Sequence, residues 1–172
     1  MQTLFWRLAM CLCACAALTL ASVAMAAPSD GEILAIAHAS NTAEIDAGKL
    51  AKSRAQNPQV RQFAKQMVAD HSAMNTELAK NLDLKLMDND ESQRIRQDAL
   101  DSLEQLKGMQ GADFDKAYID KQVMMHEEVV AMMQDKLIPN AQSPKLKAAL
   151  DKAAPKVQSH LKMARQLQSS MQ

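Results

Sequence analysis

The sequence predicts an all-α protein: a four-helix bundle with a long crossover carrying a short extra helix, preceded by a signal peptide. Apolar residues recur at spacings of three and four through four long stretches, the period of a helix with one buried face. The second member of each pair of stretches opens on a capping residue followed by proline, Asn57-Pro58 and Ser143-Pro144, a strong helix-start signal. A third observation concerns what the bundle holds. Three of the four histidines in the chain interrupt apolar stripes, each on a different helix.

Residues 1–26 read as the signal peptide and 27–172 as the helical bundle domain. After Arg7 the chain runs apolar from Leu8 to Ala27, and Ala24-Met25-Ala26 has the small-x-small form of a cleavage site. Cleavage after Ala26 sends the mature protein to the periplasm and leaves no membrane span. The run is longer than the usual apolar region of about 7–15 residues, so an uncleaved anchor is the alternative reading. Cys11, Cys13 and Cys15 all lie in the leader. The mature chain therefore has no disulfide framework and relies on its core.

The chain of 172 residues suffices for one domain. Twenty basic side chains face twenty acidic ones, with one Tyr, one Trp and three Phe. No basic run and few stacking platforms exist, which argues against a nucleic-acid partner.

The first helix, Gly31 to Gln56, carries Ile33, Ile36, Ala37, Ser40, Ala43, Ala47, Leu50 and Ala51 at helical spacing. Glu44 falls on the edge of that face, and His38 on the flank. At Asn57-Pro58 the chain turns too tightly for anything but an antiparallel hairpin. The second helix, to about Leu82, has the stripe Val60, Ala64, Met67, His71, Met74 and Leu78. Residues 83–91 lose the period and read as a loop. A short amphipathic helix follows, with Ile95, Ala99, Leu103 and Leu106 on one side, ending at Lys107-Gly108. This crossover lets the third helix run parallel to the second. The third, about Ala112 to Leu137, steps through Ile119, Val123, His126, Val130, Met133 and Leu137, and Pro139-Asn140 ends it. The fourth runs to about Ser170 with Leu146, Ala149, Ala153, Val157, His160, Ala164 and Leu167 on its stripe. Pro155 should kink it one turn before His160.

His71, His126, His160 and Glu44 all fall near the middle of their helices, so the four side chains should meet at one level. Three imidazoles and a carboxylate suit one transition-metal ion, Fe, Mn, Zn or Cu; no motif calls for an organic cofactor. Buried without a metal, each group would need a hydrogen-bond partner, and the carboxylate would take up a proton. Met67, Met74 and Met163 near the histidines point toward copper, but methionines at stripe positions also simply fill cores. Asp70, Glu127 and Glu128 are expected to be solvated, and Asp115 to pin the start of the third helix. Tyr118 and Gln122 stand one and two turns before His126, placed to support it by hydrogen bonds. The alternative to a metal protein is a non-catalytic structural or interaction module of the cell envelope, its histidines serving as polar pins or pH-sensitive groups. No reaction follows from either reading.

AEIDAGKLA (Ala43 to Ala51), NPQVRQFAKQMVADH (Asn57 to His71), FDKAYI (Phe114 to Ile119) and the later His126 and His160 resemble the bacterial exported family called domain of unknown function 4142 (DUF4142), grouped with the ferritin-like superfamily. The resemblance implies a ferritin-like four-helix bundle with a long crossover, and it carries over Glu44, His71, His126 and His160 as polar core positions. It implies no activity. Di-iron proteins of that fold use a Glu-x-x-His pair on each of two helices. Here Val68, Val123 and Val157 stand three residues before the histidines, so a mononuclear site is expected.

Overall fold

The computed structural model describes residues 27–81 and 83–171, and the expected leader, its cysteines and Leu82 lie outside them. Every element among the described residues is helical: α1 (Asp30–Arg54), α2 (Pro58–Asn81), α3 (Asp90–Lys107), α4 (Gly111–Met132), a π-helical turn (Met133–Leu137), α5 (Ile138–Asn140) and α6 (Pro144–Ser170). No helix among them is long and apolar enough to cross a membrane.

The boundaries follow from local chemistry. Ser29 and Glu32 cap α1 reciprocally, Ser29 Oγ accepting from the Glu32 N–H and Glu32 Oε2 accepting from the Ser29 N–H. Asn57 Oδ1 accepts from the Gln59 N–H at 2.8 Å, and Ser143 Oγ from the Leu146 N–H, so both cap-plus-proline junctions open helices. Asn89 and Ser92 form a second reciprocal cap on α3. Gly111, the first residue of α4, has φ +62°, a conformation that a side chain disfavours.

The third long helix does not run regularly to its end. Between Met133 and Leu137 it widens into a π turn, where the Ile138 N–H donates to the Met133 carbonyl five residues back. Pro139 explains the place. A proline lacks the N–H that an α-helical ladder needs, and its ring crowds the preceding turn. One extra residue in that turn lets the chain pass through Pro139 and end at Asn140. Pro155 has no comparable effect on continuity, since α6 is unbroken from Pro144 to Ser170.

α1 packs most closely on α2 and α4 on α6, with further contacts of α2 to α6 and α1 to α4; α3 lies along α1. The alanine face of α1 allows this proximity. A Cβ added at Gly48 would stand 2.9 Å from Val68 Cγ2 and 3.1 Å from the Ala64 carbonyl. One apolar cluster joins Ala51 of α1 and Ala55 just after it, Val60 and Phe63 of α2, Phe114 and Tyr118 of α4, and Leu161 and Ala164 of α6. The starts of α2 and α4 thus share one end with the finishes of α1 and α6. The crossover does deliver α4 parallel to α2.

A second cluster at the other end gathers Ile33 and Ile36, Leu78, Met133 and Leu137, and Leu146 and Leu150. Between the two clusters lies a buried polar layer: Asn41, Glu44, His71, Gln122, His126 and His160.

Asp115 departs from its expected role. It is buried, and its carboxylate accepts from the Gln56 N–H at 3.1 Å and the Asn57 N–H at 2.6 Å. It ties down the α1–α2 turn instead of its own helix start. The reason is the parallel run of α2 and α4, which brings the N-terminal part of α4 beside a chain reversal with two free N–H groups.

Candidate metal centre

Each histidine of the polar layer takes its position from an apolar stripe. On α2, Met67 and Leu78 are buried above and below His71; Val123 of α4 and Met133 of the π turn that follows flank His126; on α6, Val157 and Ala164 flank His160. Because those stripes face the axis, the rings meet there. Their centroids are 5.2 Å apart for His71 and His160, 5.5 Å for His126 and His160, and 5.8 Å for His71 and His126.

One nitrogen of each ring has a partner in the surrounding protein. His71 Nδ1 stands 2.9 Å from Asn41 Oδ1, His126 Nδ1 2.9 Å from the Gln122 carbonyl, and His160 Nε2 2.9 Å from Asp70 Oδ2. All three partners are oxygens that only accept. Asn41 is fixed in that sense because its Nδ2 donates to Asn75 Oδ1 at 2.9 Å. Each ring therefore carries its proton on the nitrogen bonded to that oxygen and keeps a lone pair on the other.

Those other nitrogens are His71 Nε2, His126 Nε2 and His160 Nδ1. All three are buried and lack a hydrogen-bond partner, and ligand atoms from the three residues lie within 4.8 Å of one another. Three buried acceptors without donors are costly, each at about 1–3 kcal/mol. Three nitrogens bound at about 2.0–2.1 Å to one tetrahedral ion would stand about 3.4 Å apart, a small inward step from this arrangement. A histidine whose second nitrogen donates to a carboxylate, carbonyl or amide oxygen is the usual form of a metal-ligating imidazole.

The electrostatics of His71 and His160 disfavour protonation of their rings. Burial, then repulsion from His126 and His160, lowers the His71 pKa to about 3. Burial also lowers that of His160, against the opposing hydrogen bond to Asp70. At Asp70 burial pushes the carboxyl up, but the hydrogen bonds from His160 and Lys156 outweigh it and hold the pKa below the usual value.

Glu44 shares the layer but does not join the three nitrogens. Its Oε2 accepts from Gln122 Nε2 at 2.7 Å, and its Oε1 lies 3.6 Å from His126 Nδ1, the nitrogen already bonded to the Gln122 carbonyl. The carboxylate thus stands behind His126. Gln122 supports the layer twice, by its carbonyl and its amide. Tyr118 is fully buried, yet its hydroxyl has no partner; burial and the nearby Glu44 raise its pKa well above the usual value. His38 is exposed, on the flank as its spacing predicts.

Two contributors escape a reading of the sequence alone. Asp70 is expected to be solvated, yet it bridges His160 and Lys156 Nζ, the latter at 3.0 Å. The stripe of α2 faces the axis, but its flank faces α6, and Asp70 lies on that flank. The only sequence signal is that Lys156 and His160 are four residues apart, on one face of α6. Asn41 was legible in principle, since it lies three residues before Glu44 on the same helix. Glu127 and Glu128 do lie at the surface, paired with Arg165 and Arg94.

An all-helical protein whose buried polar layer is centred on three histidines is the class that this geometry defines. The chain belongs to the DUF4142 family, described as a domain of unknown function, whose model matches residues 15–167. No curated protein and no solved structure matches it.

Proposed function

We propose that this is an exported, ferritin-like four-helix bundle protein that binds one transition-metal ion through His71 Nε2, His126 Nε2 and His160 Nδ1. The observation that carries the reading is the set of three lone pairs without donors, each backed by an acceptor on the opposite ring nitrogen. A merely structural histidine layer would pair the rings with one another or with nearby donors. Here each ring donates to an oxygen of the surrounding protein.

Three neutral imidazoles suit Zn, Cu or Fe better than ions that prefer oxygen ligands. Glu44, on the fourth helix, serves in this reading as the charge behind His126 rather than as the fourth ligand, because Gln122 holds it there. The fourth position is left for water or another small ligand. With Val68, Val123 and Val157 in place of the glutamates of di-iron sites, the centre is mononuclear. Export rests on the leader sequence and its Ala24-Met25-Ala26 cleavage site.

Elemental analysis of protein purified from its native compartment tests the reading, alongside His71→Ala and His126→Ala variants. We expect one ion per chain in the wild type and none in either variant. Absence of stoichiometric metal in the wild type, together with a thermal midpoint unmoved by added Zn, Cu, Mn or Fe, would remove it.

A further inference from the structure

A cavity of about 210 Å³ lies against one side of the histidine layer, between α1, α2, the end of α4 with the π turn that follows it, and α6. His71, His126, Asn41 and Glu44, all buried, form its inner wall. Its sides are apolar, with Met74, Met133 and Leu150 among them. At its mouth stand Asp70, Glu77, Lys152 and Lys156, of which Lys152 keeps 74% and Lys156 50% of its side chain exposed.

Two features of the chain make this space. Small residues from two helices, Ala37 of α1 and Ala153 of α6, leave the walls apart. The π turn contributes Met133 and Leu137 to one wall, and single π turns inside α-helices concentrate at functional sites.

The charges at the mouth decide what the cavity accepts. Lys156 Nζ pairs with Asp70 Oδ1 at 3.0 Å and Lys152 Nζ with Glu77 Oε1 at 3.6 Å. Two cations face two anions, and each is already partnered. An ionic ligand would gain no uncompensated charge at that mouth and would lose its hydration on entering, and Glu44 on the inner wall is already taken up by Gln122 Nε2 at 2.7 Å. An apolar cavity of about 150 Å³ stays dry and takes up benzene; this one is somewhat larger. Methionine side walls adapt to irregular apolar shapes.

We propose that this cavity binds a neutral, largely apolar small molecule the size of one substituted aromatic ring, seated against the histidine layer. Its binding stands on the cavity alone; its role as a ligand or substrate presented to a metal rests on the three-histidine reading.

Calorimetric titration with ethylbenzene, benzoate and benzylammonium, on chelator-treated protein and on protein loaded with Co(II), tests both parts separately. Ethylbenzene should bind wild type in either form, and the two charged probes at least tenfold more weakly. Ala153→Phe and Ala37→Phe fill the space from different helices, and whichever remains helical by circular dichroism should lose ethylbenzene binding. In the Co(II) form the ethylbenzene proton resonances should broaden. No ethylbenzene binding by wild type, equal binding by a folded filled variant, or tighter binding of a charged probe would overturn the proposal. Binding without broadening, where Co(II) is bound, would overturn the placement beside the histidines. Binding by a protein that takes up neither Co(II) nor Zn, Cu, Mn or Fe would uphold the cavity and remove the metal reading.

Discussion

Asp70 Oδ2 accepts a hydrogen bond from His160 Nε2 at 2.9 Å, so a carboxylate on α2 sets the tautomer of an imidazole on α6. With the proton held on Nε2, Nδ1 keeps its lone pair. Asp70→Ala frees the ring to turn or to take the other tautomer. The loss of a partner of this kind costs metal affinity by about 10–100-fold. Competition with a chromophoric chelator measures it, with Glu127→Ala, a surface residue paired to Arg165, as the control expected to leave affinity unchanged. Equal affinities for wild type and Asp70→Ala would show that Asp70 does not orient His160.

His126→Leu separates metal binding from packing. The substitution replaces a fully enclosed ring with an apolar side chain and removes one lone pair that has no donor. The Gln122 carbonyl it abandons still has the helix ladder. The metal-free variant should therefore melt within a few degrees of the metal-free wild type. Added metal should then raise the midpoint of wild type alone. The stabilisation expected at a free ion concentration a thousandfold above Kd is about 4 kcal/mol, read from urea or thermal unfolding with and without metal. A variant still stabilised to that extent would place the ion elsewhere.

The three histidines were legible because two simple rules locate them. Helical period sets the face, and position along helices of similar length sets the level. Those rules place His71, His126 and His160 together, and they place Glu44 in the same layer. They do not orient a side chain once it is there. Glu44 turns toward Gln122 Nε2, and nothing in the spacing of one helix reveals an amide waiting on another. Asp70 fails for a related reason: the flank of α2 is exposed or covered according to where α6 lies. The π turn is legible only in part, since Pro139 announces a disturbance without saying whether the helix will stop or widen.

The metal-free protein should lose stability in acid, starting well above the carboxylate range. The His71 pKa falls from 6.5 to about 3 on folding, so the unfolded chain takes up the proton first. The penalty is absent above about pH 6.5, grows as pH falls and levels off near pH 3. Its slope is about 1.4 kcal/mol per pH unit for each such histidine, and His160, lowered by the same burial, adds in the same direction. Urea midpoints of chelator-treated protein at pH 7.5, 6 and 5 should fall in that order. His71→Leu should flatten the dependence, and a wild-type midpoint constant over this range would contradict the buried neutral rings.

Asp115 offers a test of the fold that leaves the metal centre untouched. Its carboxylate satisfies the N–H groups of Gln56 and Asn57 at the α1–α2 turn, at the end of the bundle where the Phe114 and Tyr118 cluster lies. Asp115→Ala would leave both donors without an acceptor in a partly buried place. Each such group costs about 1–3 kcal/mol, so the variant should lose about 2–4 kcal/mol of stability once water reaches the opened turn. Asp115→Asn retains one acceptor oxygen and should lose about half as much, because its amide can serve one donor and must turn its nitrogen from the other. Denaturant unfolding ranks the three proteins. Metal affinity should stay unchanged in both variants, since Asp115 lies two apolar layers of α4, Tyr118 and Ile119 first and then Val123, away from His126. A loss of metal in Asp115→Asn would mean that the turn and the polar layer are coupled through α4.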